Sequence, residues 1–286
     1  MSERILIAGC GRIGTRLGVT LAEQGHAVYG LRRSPGELPA GIAPVTADLL
    51  GTGLPAALPH ALDRVYYILT PSRYDDDGYR AAYVDGLGRL LEALAMTGSD
   101  TARLLFVSST GVYGQEDGSW VDETSPTTPG RFSGRRLLEA EGLARQHAGR
   151  SIAVRFAGIY GAGRNALIRR VREGAPCSDH PPRYTNRIHE DDCIGILAHL
   201  GALADPDPVY IGVDSHPCAQ CEIMDWLAAE LGCPPPARTS GGSAGRRCRN
   251  DRLLATGYQL RHPDYRSGYR EALSRTGVRK AGSSDP

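Results

Sequence analysis

ILIAGCGRIGTRL, residues Ile5 to Leu17, is the stretch on which the reading of the whole chain turns. Ile5, Leu6, Ile7 and Ala8 form an unbroken apolar run, which suits a strand buried on both faces of a parallel sheet. Gly9, Gly11 and Gly14 follow, and Arg12 to Gln24 suits a helix. A strand that enters a helix through G-x-G-x-x-G is the dinucleotide-binding fingerprint. The first glycine permits the tight turn, the second lets the backbone approach a pyrophosphate, and the third lets helix and strand pack closely. The helix N-terminus, at Arg12, Ile13 and Gly14, then offers free N–H groups to the phosphates. A plain glycine turn is the alternative, since the chain holds 36 glycines.

Working outward, Gly25 stops the helix and His26 to Leu31 reads as a second strand, ending in Arg32, Arg33 and Ser34. A site that prefers NAD places an acid at this strand end, where it bonds the ribose hydroxyls. An arginine there can instead clamp a 2′-phosphate through charge-assisted hydrogen bonds, so NADP is favoured over NAD. A solvated loop arginine is the other reading. A third strand, Ala43 to Thr46, leads to Asp48 and Leu49, where the carboxylate can meet an adenine amino group or simply form a turn. A fourth, Arg64 to Leu69, ends in Thr70 and Pro71, near the expected path of the cofactor. Tyr74 to Gly78 (YDDDG) reads as a solvated loop, because consecutive acids rarely converge on one ion.

Tyr79 to Met96 reads as a long amphipathic helix with Leu87, Leu90, Leu91 and Leu94 on one stripe. Leu104 to Val107 is a strand, Arg131 to His147 a helix and Ile152 to Phe156 a strand. This alternation predicts an α/β fold with a doubly wound parallel sheet. Beyond Gly161 the chain is dense in Gly, Pro and Arg up to Arg187. Ile188 to Leu200 is expected helical, Val209 to Val213 a strand and Gln220 to Leu231 a helix. Pro234 to Arg249 reads as a loose segment, followed by short helices at Asn250 to Gly257 and Ser267 to Thr276. Residues 276–286 look disordered.

The chain has 286 residues, enough for one α/β unit and an elaboration. Its net charge of +1 gives no field for nucleic acid or a membrane surface, and no nucleic-acid partner is expected. No apolar run reaches membrane-span length. The N-terminus opens directly on a strand, so no signal peptide is expected. Seven scattered cysteines suit a reducing compartment, and the expected location is cytoplasmic. Of 33 basic residues only Lys280 is a lysine.

Five stations in order make the chain resemble an extended short-chain dehydrogenase/reductase, the group also called NAD-dependent epimerase/dehydratases. They are the Gly9–Gly14 fingerprint, VSSTGVYG at Val107–Gly114, RFAGIYGAGR at Arg155–Arg164, NRIHEDD at Asn186–Asp192 and YIGVDS at Tyr210–Ser215. The resemblance implies a Rossmann domain over 1–160 with 188–212, and a small C-terminal substrate lobe from 161–187 plus 213–275. It also implies a small-molecule substrate, phosphorylated or a nucleotide sugar, and a homodimer through the helices at 79–96 and 131–147.

The same resemblance calls for a Ser or Thr and a Tyr-x-x-x-Lys pair, in which Tyr exchanges a proton with substrate while Lys anchors the ribose and lowers the tyrosine pKa. Ser109, four residues before Tyr113, matches the Ser/Thr. Aligning the S-K-x-x-x-E end of the motif on Gly134-Arg135-x-x-x-Glu139 puts Arg131 at the Tyr position and Arg135 at the Lys position. Arg135 can still hold a ribose or phosphate, but Arg131 cannot act as an acid near neutrality. With the pair absent, Tyr113, Tyr160, Tyr184 and His189 are the candidate proton carriers, and Ser109 would polarise the substrate oxygen. The expected function is an NADP-dependent oxidoreductase or epimerase acting on a small carbonyl, hydroxyl or sugar-nucleotide substrate. A cofactor-loaded regulator or scaffold that turns nothing over is the alternative.

Three constellations have milder readings. Cys218 and Cys221 form a C-x-x-C that could be redox-active or, with Cys233 and Cys248, bind zinc; two incidental cysteines at a helix start are expected. His189-Glu190-Asp191-Asp192 could suggest metal ligands. It is expected to be a structural turn in which an acid caps a helix starting near Ile194, with no metal. Arg164, Arg169, Arg170, Arg172, Arg183 and Arg187 could bind a substrate phosphate or form a solvated basic face.

Overall fold

The computed structural model describes residues 2–34, 36–51 and 53–275; the stretch 276–286, expected to be disordered, lies outside them. A seven-stranded sheet runs in the order Val209–Gly212, Ser151–Phe156, Arg103–Ser109, Arg64–Tyr67, Arg4–Ala8, Ala27–Arg32, Ile42–Thr46. The strands from Arg103–Ser109 to Ile42–Thr46 pair in parallel, with Ile5 opposite both Val28 and Arg64. The chain winds outward from Arg4–Ala8 in one direction, then returns to its other side at Arg64–Tyr67. That reversal opens a crevice at the strands' carboxyl ends. Ile5, Leu6, Ile7 and Ala8 are fully buried, as an apolar run covered on both faces requires. The doubly wound α/β sheet expected from the sequence is the fold observed.

The helix expected over 79–96 is more elaborate. A short turn at Asp76–Tyr79 passes into a π-helical stretch at Arg80–Asp85, and an α-helix follows at Gly86–Met96. A π-turn frees backbone carbonyls from the regular ladder. Here the buried Tyr67 hydroxyl donates to the carbonyl of Ala82 at 2.6 Å. The acids of YDDDG are partly used rather than solvated. Asp75 caps the short turn by accepting from the Gly78 N–H at 2.7 Å, and Asp76 pairs with Arg136.

The chain divides into two compact units. The first holds residues up to Gly114, Pro126–Arg155 and Cys193–Tyr210; the second holds Gln115–Ser125, Phe156–Asp192 and the chain from Ile211 on. The expected division kept 115–125 with the Rossmann sheet. In the structure the strand Asp117–Val121 pairs with Gly245–Cys248 in a four-stranded sheet completed by Tyr184–Thr185 and Cys218–Ala219. Pro234 to Arg249, expected as a loose segment, therefore contains two strands, Arg238–Ser240 and Gly245–Cys248. Short strands rich in Gly, Ser and Arg carry no apolar alternation to mark them.

The second unit has its own core, in which Tyr160, Ile223, Met224, Leu227, Tyr265 and Tyr269 pack together. Cys221 is not an incidental helix-start cysteine: it is disulfide-bonded to Cys177, 44 residues earlier, across that core. Cys218 is a buried free thiol that accepts from the buried Arg187 guanidinium at 3.1 Å. Arg187 also stacks over the Tyr265 ring, so it belongs to the core rather than to a solvated basic face. The helix expected near Ile194 starts at Glu190. Asp192 does not cap it; its carboxylate accepts from the backbone N–H groups of Arg261 and His262 at 2.7 and 2.9 Å.

Candidate active site

Four strand ends of the first unit converge on a cleft of about 610 Å³ at the crevice between Arg4–Ala8 and Arg64–Tyr67. Gly9, Cys10 and Gly11 form its floor. Leu31 to Ser34 line it from the second strand, Asp48 to Leu50 from the third, and Ile68 to Thr70 from the fourth. The three glycines differ in geometry. Gly9 sits at φ +97°, and a Cβ there would lie 2.1 Å from the carbonyl oxygen of Ile68. Gly14 is in the first helix, where a Cβ would lie 2.5 Å from the Gly9 oxygen. Gly11 has nothing within 4 Å of a Cβ position, so its missing side chain leaves room on the cleft side rather than against protein.

The rim is basic. Arg33 is exposed, and Arg32 donates to the Glu37 carbonyl at 3.3 Å. Asp48 forms a turn, accepting from the Leu50 N–H at 3.0 Å, and it also lines the cleft. Arg12, Ile13, Gly14, Pro71 and Arg135 are not among the lining residues. Arg135 is exposed and donates to the Gly130 carbonyl at 3.0 Å. Ser72, Gly78, Ala81, Ala82 and Gly86 complete the wall. The sequence reading missed this wall: Ala81 and Ala82 face the cleft from the π-helical stretch, which follows no 3.6-residue period, and Ser72, Gly78 and Gly86 lie outside it. Their small size was the available signal.

Ser109 ends the strand Arg103–Ser109, and its hydroxyl accepts from the Gly111 N–H at 3.1 Å. Three of the four candidate proton carriers lie inside the protein. Tyr113 is 1% exposed, and its hydroxyl accepts from the Arg155 guanidinium at 2.8 Å. Tyr160, in the second unit, is 3% exposed and stacks on Tyr269; burial pushes its phenol well above the ordinary tyrosine range. His189, also in the second unit, is 2% exposed. Burial, then the neighbouring His262, lowers its pKa. Tyr184 is half-buried, its ring beneath the Arg247 guanidinium.

The helix onto which the sequence reading placed the dyad positions runs Phe132–Arg145. Its acids differ sharply: Glu139 is solvent-accessible and pairs with Arg136, whereas Glu141 is fully buried. Glu141, not Glu139, is therefore the acid this helix turns inward. Counting the same motif spacing back from Glu141 puts Leu137 at the Lys position and Ser133 at the Tyr position. Neither register supplies a Tyr-x-x-x-Lys.

Comparison with known proteins follows the same outline. The sequence signature of the NAD dependent epimerase/dehydratase family matches residues 5–197. The structure of an NAD-dependent epimerase/dehydratase-type protein from Methylobacillus flagellatus is 38% identical, with a TM-score of 0.81 over 97% of this chain and 100% of that one. A conserved protein of unknown function from Silicibacter pomeroyi is 28% identical, with a TM-score of 0.76 over 96% of this chain and 99% of that one. MoeE5, solved with UDP-glucuronic acid and NAD, is 24% identical with a TM-score of 0.78 over 96% of this chain and 99% of that one; this likeness concerns the fold. No curated protein matches the sequence. With the signature covering the cleft and every strand of the large sheet but Val209–Gly212, and one relative alike over nearly the full length, the chain belongs to the NAD dependent epimerase/dehydratase family.

Proposed function

We propose that the 610 Å³ cleft holds an NADP-type dinucleotide and that the chain is an NADP-dependent oxidoreductase or epimerase. The observation that carries this is the open space at Gly11 beside a rim of Arg32, Arg33 and Ser34. The missing Cβ at Gly11, where the turn enters the first helix, suits the close approach of a pyrophosphate. A freely exposed guanidinium at the end of the second strand suits a 2′-phosphate. The bound cofactor would supply hydride chemistry at its nicotinamide. Ser109 would hold a substrate carbonyl or hydroxyl oxygen. Nucleotide sugars are the proposed substrate class, and MoeE5, with the same fold, was solved with one. The proposed location is the cytoplasm, on the sequence reading alone; the Cys177–Cys221 disulfide departs from the all-thiol state which that reading assumed.

One observation favours a second reading. Tyr113, Tyr160 and His189 are all buried, which leaves only the half-buried Tyr184 of the four candidate proton carriers and suits a cofactor-loaded protein that turns nothing over. Titration with NADPH and NADH tests the first step: tighter NADPH binding is expected, and equal or weaker binding would return the choice to NAD. NADPH oxidation with a panel of carbonyl compounds and nucleotide sugars then separates enzyme from binding protein.

A further inference from the structure

The second unit holds a polar cluster that plays no part in the dinucleotide cleft. His189 ends the strand Ile188–His189, and Asp191 lies in the first turn of the helix Glu190–Ala202. His262 precedes the helix Tyr265–Arg275, which carries Glu271. One donor atom from each of His189, Asp191 and His262 falls within 4.8 Å of the others. Asp191 Oδ2 lies 3.7 Å from His189 Nδ1 and 4.0 Å from His262 Nε2, and the two imidazole rings are 4.0 Å apart. Glu271 Oε2 lies 3.3 Å from His262 Nε2.

His262 marks this cluster as more than a packed polar patch. It is 4% exposed; its Nδ1 is buried without a hydrogen-bond partner, and its Nε2, also buried, makes no hydrogen bond and has only the carboxylate contacts to Glu271 and Asp191. Leaving a buried polar group unsatisfied costs about 1–3 kcal/mol, and native proteins rarely do so without a reason. A metal ion satisfies an imidazole nitrogen directly. We propose that His189, Asp191 and His262 form a binding site for a divalent transition metal, with zinc the best fit and Glu271 placed to complete it.

The donor set supports zinc. Two imidazoles and a carboxylate are ligands this borderline ion accepts, whereas calcium and magnesium take oxygen alone. Around a tetrahedral ion with bonds of ~2.0–2.1 Å, donor atoms stand about 3.4 Å apart. The observed 3.7 and 4.0 Å, with all three donors within 4.8 Å, must close, and His189 Nδ1 must give up the long hydrogen bond it accepts from the Asp191 N–H at 3.3 Å. The backbone is already fixed for it. Asp192, next to Asp191, holds the N–H groups of Arg261 and His262, which ties the His262 segment to the start of the Asp191 helix. Arg261 is the competing cation: its Nη1 lies 3.4 Å from Asp191 Oδ2, but its side chain is 63% exposed and can withdraw into solvent.

The test is metal binding by the whole protein after chelator treatment and dialysis, independent of any cofactor or substrate. One equivalent of zinc is expected, with a rise in melting temperature on adding it. Cobalt is expected to give the visible bands of a tetrahedral nitrogen–oxygen site. Loss of a direct ligand should weaken zinc by at least ~100-fold, the upper end of what losing an outer-shell partner costs. His262→Gln and Asp191→Asn are both expected to do so, while His216→Ala is expected to leave binding unchanged. Should His262→Gln fail to fold, zinc-edge X-ray absorption of the wild-type protein reads the donors directly. Nitrogen and oxygen donors support the site; sulfur donors, sub-stoichiometric zinc, or unchanged binding in Asp191→Asn overturn it.

Discussion

Arg155 grips Glu141 through two hydrogen bonds, Nε to Oε1 at 3.0 Å and Nη2 to Oε2 at 2.7 Å, with both side chains buried. Ser108 donates to the same Oε1 at 2.6 Å, and Arg155 reaches on to the Tyr113 hydroxyl. The cluster fastens the helix Phe132–Arg145 to two strands of the large sheet. Removing one member leaves a buried charge unpaired, at a cost of about 3–5 kcal/mol. Glu141→Ala is therefore expected to lower stability by that amount in denaturant unfolding. The double variant Glu141→Leu/Arg155→Met should lose markedly less, because neither charge is stranded. An equal loss in both would show that packing, not charge, carries the cluster.

Gly11 and Gly14 are expected to respond differently to a single methyl group. Gly11→Ala meets nothing within 4 Å, and its φ of −82° suits any residue. It should melt near the wild-type temperature yet bind NADPH about tenfold more weakly, a loss of about 1.4 kcal/mol. Gly14→Ala drives its Cβ toward the Gly9 carbonyl and should cost stability first. Unimpaired NADPH binding by Gly11→Ala would remove the phosphates from this turn.

Arg33→Ala should discriminate between the two dinucleotides. A hydrogen bond to a charged group contributes about 1.5–3 kcal/mol, so NADPH affinity is expected to fall about ten- to a hundredfold. NADH affinity should not move. A parallel loss for both cofactors would mean that Arg33 contacts something other than a 2′-phosphate.

Ser109→Ala tests the enzyme reading. Turnover on any substrate found in the carbonyl and nucleotide-sugar panel should fall by about a hundredfold or more, the usual scale for an oxyanion donor. NADPH binding should stay near wild type. An unchanged rate would take Ser109 out of the chemistry.

Asp214 predicts a pH dependence of folding. It is 1% exposed, its Oδ1 accepts from the His216 N–H, and burial pushes its carboxyl up to about 7. Arg187 opposes that rise, and Asp264 and Asp192 add to it. The folded state thus holds a proton that the unfolded chain releases near pH 4. Stability from this group is full below about pH 4 and declines as pH rises toward 7, by a few kcal/mol at most. Asp214→Asn should flatten that slope, gaining on wild type at pH 8 and not at pH 4. Parallel pH profiles for the two proteins would show that Asp214 ionises freely.

What could be read in the sequence was local. The apolar run at Ile5–Ala8 and the glycines behind it are neighbours along the chain, so strand, turn and cleft floor announce themselves in thirteen residues. The ends of the second, third and fourth strands followed from the same alternation. What stayed hidden depends on distant partners. Only the fold shows that Glu141 rather than Glu139 turns inward, since the two acids differ in what lies opposite them and not in their neighbours. Cys177 meets Cys221 across 44 residues, and His262 reaches His189 through a connection without a period of its own.

The π-turn at Arg80–Asp85 lets one rod of chain face inward twice. Each residue of an α-helix advances about 100° around the axis, so a straight helix keeps a single inward stripe. Widening the spiral by a residue resets that phase. Ala81 and Ala82 can then wall the cleft while Leu87, Leu90 and Leu94 are fully sealed in the interior beyond. Deleting one residue here would leave the helix its length but spoil its aim, trading the smooth wall of the crevice for misdirected leucines.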